Sequence, residues 1–191
     1  MKSGTNLRTT LATLALLMLV VAGCKQLQQL HRPTVLKSAD GKFQITIPPG
    51  WRKNESLNEQ ADLAASLARE EMFVIVITER KKDFSDDMTL DKFVDITRSA
   101  MIGRLGSPVA SPALQVKVSG HSGRQYEVQG VSNSLKVAYL ITAVETAEHY
   151  HQVISWTLLS RINENQLTLQ HITESFREVS PQRIEIAEPA R

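Results

Sequence analysis

The chain has 191 residues, of which 42% are hydrophobic, 22% charged and 5% aromatic. That is the balance of a globular domain, not of a disordered or polytopic membrane chain. Lys and Arg number 22 against 20 Asp and Glu, too small an excess for a protein that neutralises nucleic-acid phosphates. The single cysteine excludes an internal disulfide and a cysteine-rich zinc site.

Lys2 and Arg8 lie in a first segment without acids, and Leu11–Gly23 follows as thirteen residues that are almost wholly apolar. A basic start followed by such a run is the pattern of an export signal. As a helix it would span about 20 Å, short of a hydrocarbon core of about 30 Å. An uncleaved anchor or a buried helix would leave unexplained how the run ends, at Val21-Ala22-Gly23-Cys24. Small residues ahead of the only thiol resemble the lipobox of bacterial lipoproteins. The resemblance implies lipidation of Cys24, cleavage before it, and attachment to a membrane through several acyl chains, which hold where a single chain is marginal. Lys25, where some lipoproteins carry Asp, favours the outer over the inner membrane by the same resemblance. The expected address is the cell envelope, facing the periplasm. Lys2 and Arg8 also account for the whole basic excess, so the chain from Cys24 onward has balanced side-chain charge and implies no electrostatic partner.

The expected organisation is a signal peptide at 1–23, a lipidated tether at 24–37, one domain at 38–180 and a flexible tail at 181–191. The tether is polar, contains Pro33 and has room for a short helix at Gln26–Leu30. Within the domain, Lys42–Ile47 alternates apolar and polar residues and stops at Pro48-Pro49-Gly50, a strand ending in a turn. Residues 61–68 fit a strand or a helix equally. Phe73–Thr78 is apolar throughout, as a central strand covered on both faces would be. Thr89 is placed to cap a helix from Leu90 to Leu105 whose inner stripe is Leu90, Phe93, Val94, Thr97, Met101 and Leu105. Gly106, Pro108 and Pro112 mark a loop. Strands follow at 114–118, 124–131, 137–144 and 150–159. Asn163 and Gln166 have capping-box spacing for a last helix to Phe176, with Leu167, Ile172 and Phe176 as its buried face. Ile184 and Ile186 in the tail have the spacing of a short edge strand. Short turns between strands require antiparallel pairing. The expected fold class is α+β, an α/β/α sandwich around an antiparallel sheet of about six strands.

The order of motifs carries a second resemblance. Phe43, Ile45, Ile47, Pro48, Gly50 and Trp51 form F-x-I-x-I-P-x-G-W. Val74–Glu79, Asp83-Phe84 and Thr89–Phe93 follow. Gly120, Gly123 and Tyr126 form a hairpin motif, and His149–Thr157 precedes a helix ending at Ser175–Glu178. This succession resembles the PsbP-like superfamily, including DcrB-type envelope lipoproteins. The resemblance implies the sandwich and a protein-binding role, and no enzyme.

Chemistry offers few candidates. His149 and His151 share a strand face, and imidazoles so placed bind zinc when a third ligand such as His121 or His171 joins them. The plainer reading is a solvent-facing pair, so neither metal nor cofactor is expected. Glu70-Glu71 and Asp86-Asp87 are adjacent pairs whose side chains diverge. Trp51 and Trp156 are core or rim aromatics, or else line a binding groove. The expected function is that of a non-catalytic envelope lipoprotein that binds or stabilises another envelope protein. The alternatives are a chaperone that shields a hydrophobic client helix, and a metal-dependent enzyme using His149 and His151.

Overall fold

The computed structural model describes residues 32–179. Val21 to Lys25, the possible helix at Gln26–Leu30, and Ile184 and Ile186 lie outside them. Among the described residues no helix is long and apolar enough to cross a membrane.

In chain order the strands are β1 (Thr34–Lys37), β2 (Phe43–Ile47), β3 (Arg52–Lys53), β4 (Leu63–Leu67) and β5 (Met72–Arg80). Helix α1 (Leu90–Gly103) follows, then β6 (Gly106–Ala110), β7 (Leu114–Val118), β8 (His121–Ser132), β9 (Leu135–Glu145) and β10 (His149–Leu158). Helix α2 (Ile162–Glu174) and β11 (Arg177–Glu178) end the domain. The main sheet has eight strands in the order β3-β4-β5-β10-β9-β8-β6, with β7 also on β8. A separate three-stranded sheet runs β1-β2-β11. All pairings are antiparallel. The expected α+β sandwich is present, with eight strands in its main sheet instead of six.

The apolar run of β5 has the expected cause. Val74 and Val76 point into one core layer with Ile45, Ile47, Val153, Leu169, Ile172 and Phe176. Ile75 points into the other with Leu90, Phe93, Val94, Tyr126, Ile141 and Ile154. Each helix covers one face. Residues 63–67 are a strand, paired with β5 from Leu63↔Val76 to Leu67↔Met72. Thr89 caps α1, its side chain accepting from the Lys92 N–H. Two hairpins turn on paired positive φ angles, Ser119-Gly120 between β7 and β8 and Asn133-Ser134 between β8 and β9. That is the backbone requirement of a type I′ turn, whose twist matches the strands.

Four expectations change. The polar tether gives way at Thr34 to β1, because residues 34–37 find a ladder on β2 from Thr34↔Ile47 to Lys37↔Gln44. The loop expected around Gly106 and Pro108 is the edge strand β6, where a proline without an N–H costs no ladder bond. Asn163 does not cap α2. A 3₁₀ turn at Leu159–Arg161 leads directly into the helix, and Arg161 stands at the cap without a side-chain cap bond. Leu167 is 67% exposed, because the buried stripe is Asn165, Leu169, Ile172 and Thr173, and two residues before Leu169 is the opposite side of a helix.

The packing is close where β8 passes the end of α1. A Cβ on Gly130 would lie 2.9 Å from the Leu105 Cβ and 3.1 Å from the Gly106 carbonyl oxygen. Gly130→Ala is therefore expected to destabilise the domain by about 1–3 kcal/mol through overpacking. Phe93→Ala should cost about 3–5 kcal/mol, since Phe93 is fully buried and stacked 4.7 Å from Tyr150. Denaturant unfolding of each variant measures both. An unchanged midpoint for Gly130→Ala would show that the end of α1 moves freely.

Candidate functional site

The β9–β10 hairpin closes where the Thr146 N–H donates to the His149 carbonyl at 2.9 Å. Strand periodicity then puts His149 and His151 on one face, as expected. That face is not open to solvent at this end of the sheet. The small sheet lies over it, and Phe43 of β2 meets His149 edge-on at 5.4 Å and His151 at 4.6 Å. Phe176, just beyond α2, lies 4.8 Å from the His151 ring. His151 is fully buried and His149 partly so. The reading of the pair as solvent-facing is therefore corrected. The sequence distance between β2, β10 and β11 hid this cover.

His151 has a polar partner on each ring nitrogen. Its Nδ1 lies 3.1 Å from the Thr78 Oγ1 and its Nε2 3.3 Å from the Thr146 Oγ1. Glu178 of β11 brings a carboxylate oxygen to 3.8 Å from Nε2. Burial lowers the pKa of His151 to about 3, and the nearby His149 and His121 add to the shift. The imidazole is thus neutral at physiological pH, and its contact with Glu178 is not an ion pair. The Nδ1 atom of His149 is buried without a hydrogen-bond partner. One nitrogen from each of these two histidines and one Glu178 oxygen lie within 4.8 Å of one another.

The third member of this group is Glu178, in place of His121 or His171. His171 lines a small recess with Pro33, Pro48 and Pro49. Nothing local in the sequence singles out Glu178, although it ends the Ser175–Glu178 motif. Beside the group opens a cleft of about 850 Å³, whose lining includes Lys37, Asp40, Lys42, Phe43, His149 and Glu178.

The other candidates are dispersed. Trp51 is buried in the layer under α2, whereas Trp156 flanks the layer under α1, so the two tryptophans share no surface. Trp156 stacks on Phe73 at 5.2 Å and leans on Tyr139 at 5.8 Å, and all three rings are partly exposed. Glu70 is held by Arg161. Asp87 is held by Lys92 and Ser85, which lower its pKa to about 2. Asp87 is thereby held in its ionised form.

No protein-family model matches the chain, and no curated protein matches it in sequence. Solved structures do match. LpqN, involved in cell envelope biogenesis of Mycobacterium tuberculosis, superposes with a TM-score of 0.57 at 12% identity, over 78% of this chain and 91% of LpqN. CyanoP, the cyanobacterial PsbP of Synechocystis sp. PCC 6803, gives 0.56 at 14% identity, over 78% of this chain and 94% of CyanoP. The fold is PsbP-like. At such identities the likeness concerns architecture, and a PsbP-like architecture does not dictate an activity.

The burial of His151 carries a pH dependence. An unfolded histidine takes up a proton near pH 6.5, whereas folded His151 does not until about pH 3. Below pH 6.5 the unfolded state therefore binds more protons, and stability falls as pH falls, by at most about 1.4 kcal/mol per unit from this residue. The groups facing it are His149, His121 and Glu178. In metal-free protein the ring NMR signals of His151 should stay constant between about pH 7.5 and pH 5, while the denaturation midpoint drops. A His151 signal titrating within that range would contradict its burial.

Proposed function

We propose that the chain is a non-catalytic lipoprotein of the bacterial cell envelope, of the DcrB type, whose PsbP-like domain binds and stabilises another envelope protein. Val21-Ala22-Gly23-Cys24 behind a basic and apolar run supports an anchor of acyl chains on Cys24. Lys25 supports the outer membrane as the site of that anchor. The motifs from Phe43 to Glu178 support the DcrB type. The involvement of LpqN in envelope biogenesis supports the same address.

The observation that carries the binding role is the strip of Phe73, Tyr139 and Trp156. Trp156 touches both Phe73 and Tyr139, and the three aromatic residues remain partly exposed on adjacent strands β5, β10 and β9. Rigid aromatic side chains with an apolar body are the residues that most often anchor protein interfaces. The strands beneath are interior to the sheet, each paired on both edges, so the strip is presented on a stiff base.

A photo-crosslinking residue at position 156 or 73, introduced into the chain in intact cells, is expected to capture one and the same envelope protein. Trp156→Ala should weaken that complex by about 2 kcal/mol or more, the usual cost of losing a central aromatic anchor. Recovery of no envelope protein from either position, or a complex indifferent to Trp156→Ala, would overturn the binding role.

The anchor has its own measurement. Intact mass of the membrane-extracted protein should show acyl chains on a chain beginning at Cys24. A Cys24→Ala protein that still fractionated fully with membranes would argue against lipid as the main attachment.

A further inference from the structure

We propose that His149, His151 and Glu178 bind one zinc ion at the inner wall of the cleft, joining β11 to β10. This inference is independent of the binding role assigned to the aromatic strip.

The donor set suits the metal. Two imidazoles and one carboxylate are the ligands of a borderline-soft ion such as zinc, and three protein ligands are the number that leaves a fourth position open. Calcium and magnesium, which prefer all-oxygen shells, fit poorly here. The three donor atoms already lie within 4.8 Å of one another. Bonds of about 2.0–2.1 Å place tetrahedral ligand atoms roughly 3.4 Å apart, so the widest separation must close by up to about 1.4 Å. Glu178 can contribute to it, because its side chain is 30% exposed and β11 is only two residues long.

Three further observations point to a ligand. The buried Nδ1 of His149 has no partner, which is an uncompensated cost that a bound ion or water would remove. The second ring nitrogen of His151 is already held by Thr78. With Nδ1 protonated and donating to that hydroxyl, Nε2 keeps its lone pair, which accepts from the Thr146 hydroxyl at 3.3 Å until an ion takes that place; outer partners orient a ligating histidine in this way. Finally, the cleft runs alongside His149 and Glu178, giving an ion a way in and leaving the fourth position to water or to a donor from a bound partner. The charges that face the cleft are mixed. Asp40 and Glu148 stand with Lys37 and Lys42, and Asp40 pairs with Lys42. The attraction is therefore local to the three ligands and does not come from an acidic basin.

The test uses the full-length chain without a polyhistidine tag, extracted in detergent, stripped with a chelator and titrated with zinc sulfate. Calorimetry is expected to show one ion per chain, and thermal unfolding should move upward as zinc is added, because binding to the folded state alone stabilises it. Cobalt in place of zinc should give the intense visible bands of a four-coordinate site. Glu178→Gln and His149→Ala should each weaken zinc binding at least tenfold and lose the cobalt spectrum, while His171→Ala leaves both intact. Glu178→Gln changes a partly exposed side chain without altering its volume, so it reports on binding even if His149→Ala fails to fold. Absence of saturable one-to-one uptake would overturn the site. So would uptake that survives Glu178→Gln, or that is lost with Cys24→Ala, since the ion would then lie elsewhere.

Discussion

The pairing of β5 with β10 is the constraint from which the remaining architecture follows. Eight residue pairs run from His149↔Arg80 to Trp156↔Phe73, and in the middle of them, from Val153↔Val76 to Ser155↔Val74, both faces are buried. Val74, Val76 and Val153 fill one layer, and Ile75 and Ile154 the other. A two-sided apolar ladder is stable only if something covers each side. The chain answers with α1 on one face and with α2 and β2 on the other. The two strands are far apart in sequence, so the central contact closes a long loop. It cannot form early from local structure.

The small sheet has a different task. Its middle strand, β2, accepts β1 on one edge and β11 on the other. The first and last strands of the domain therefore meet on a single five-residue strand. The segment that leads in from Cys24 and the segment that leaves toward residue 191 both join the fold here. The same sheet carries Phe43 onto the two histidines and brings Glu178 beside them. One element thus seals an end of the core, gathers both ends of the domain and completes the polar cluster.

The core under α2 includes buried polar side chains. Thr142, Ser155 and Thr157 are buried, and Asn165 of α2 donates to the Thr157 hydroxyl at 2.8 Å and to the Glu70 carbonyl at 3.1 Å. Each of these four side chains has a partner, so the helix is fixed in rotation as well as held by apolar contact. This explains why the moderate apolar stripe of α2 misleads. Leu167 faces outward because Asn165 and Leu169 must face inward together.

The elements that were legible in the sequence are those specified by near neighbours. The apolar run of β5, the Thr89 cap and the alternation of β2 each state their own geometry, and an α+β sandwich follows from the order of the elements. The 61–68 segment was ambiguous because small apolar residues satisfy both periods, and only the free edge of β5 made it a strand. The His149–His151 pair was legible as a pair, because a strand repeats every two residues. Its burial, its neutral state and its meeting with Glu178 were not. They depend on β2 and β11 arriving from opposite ends of the domain, and no local pattern encodes which distant strand will cover a given face. The sequence by itself determined the local elements and the likeness to an exported lipoprotein. The tertiary structure decided which polar residues share a site, because that choice is made by long-range packing.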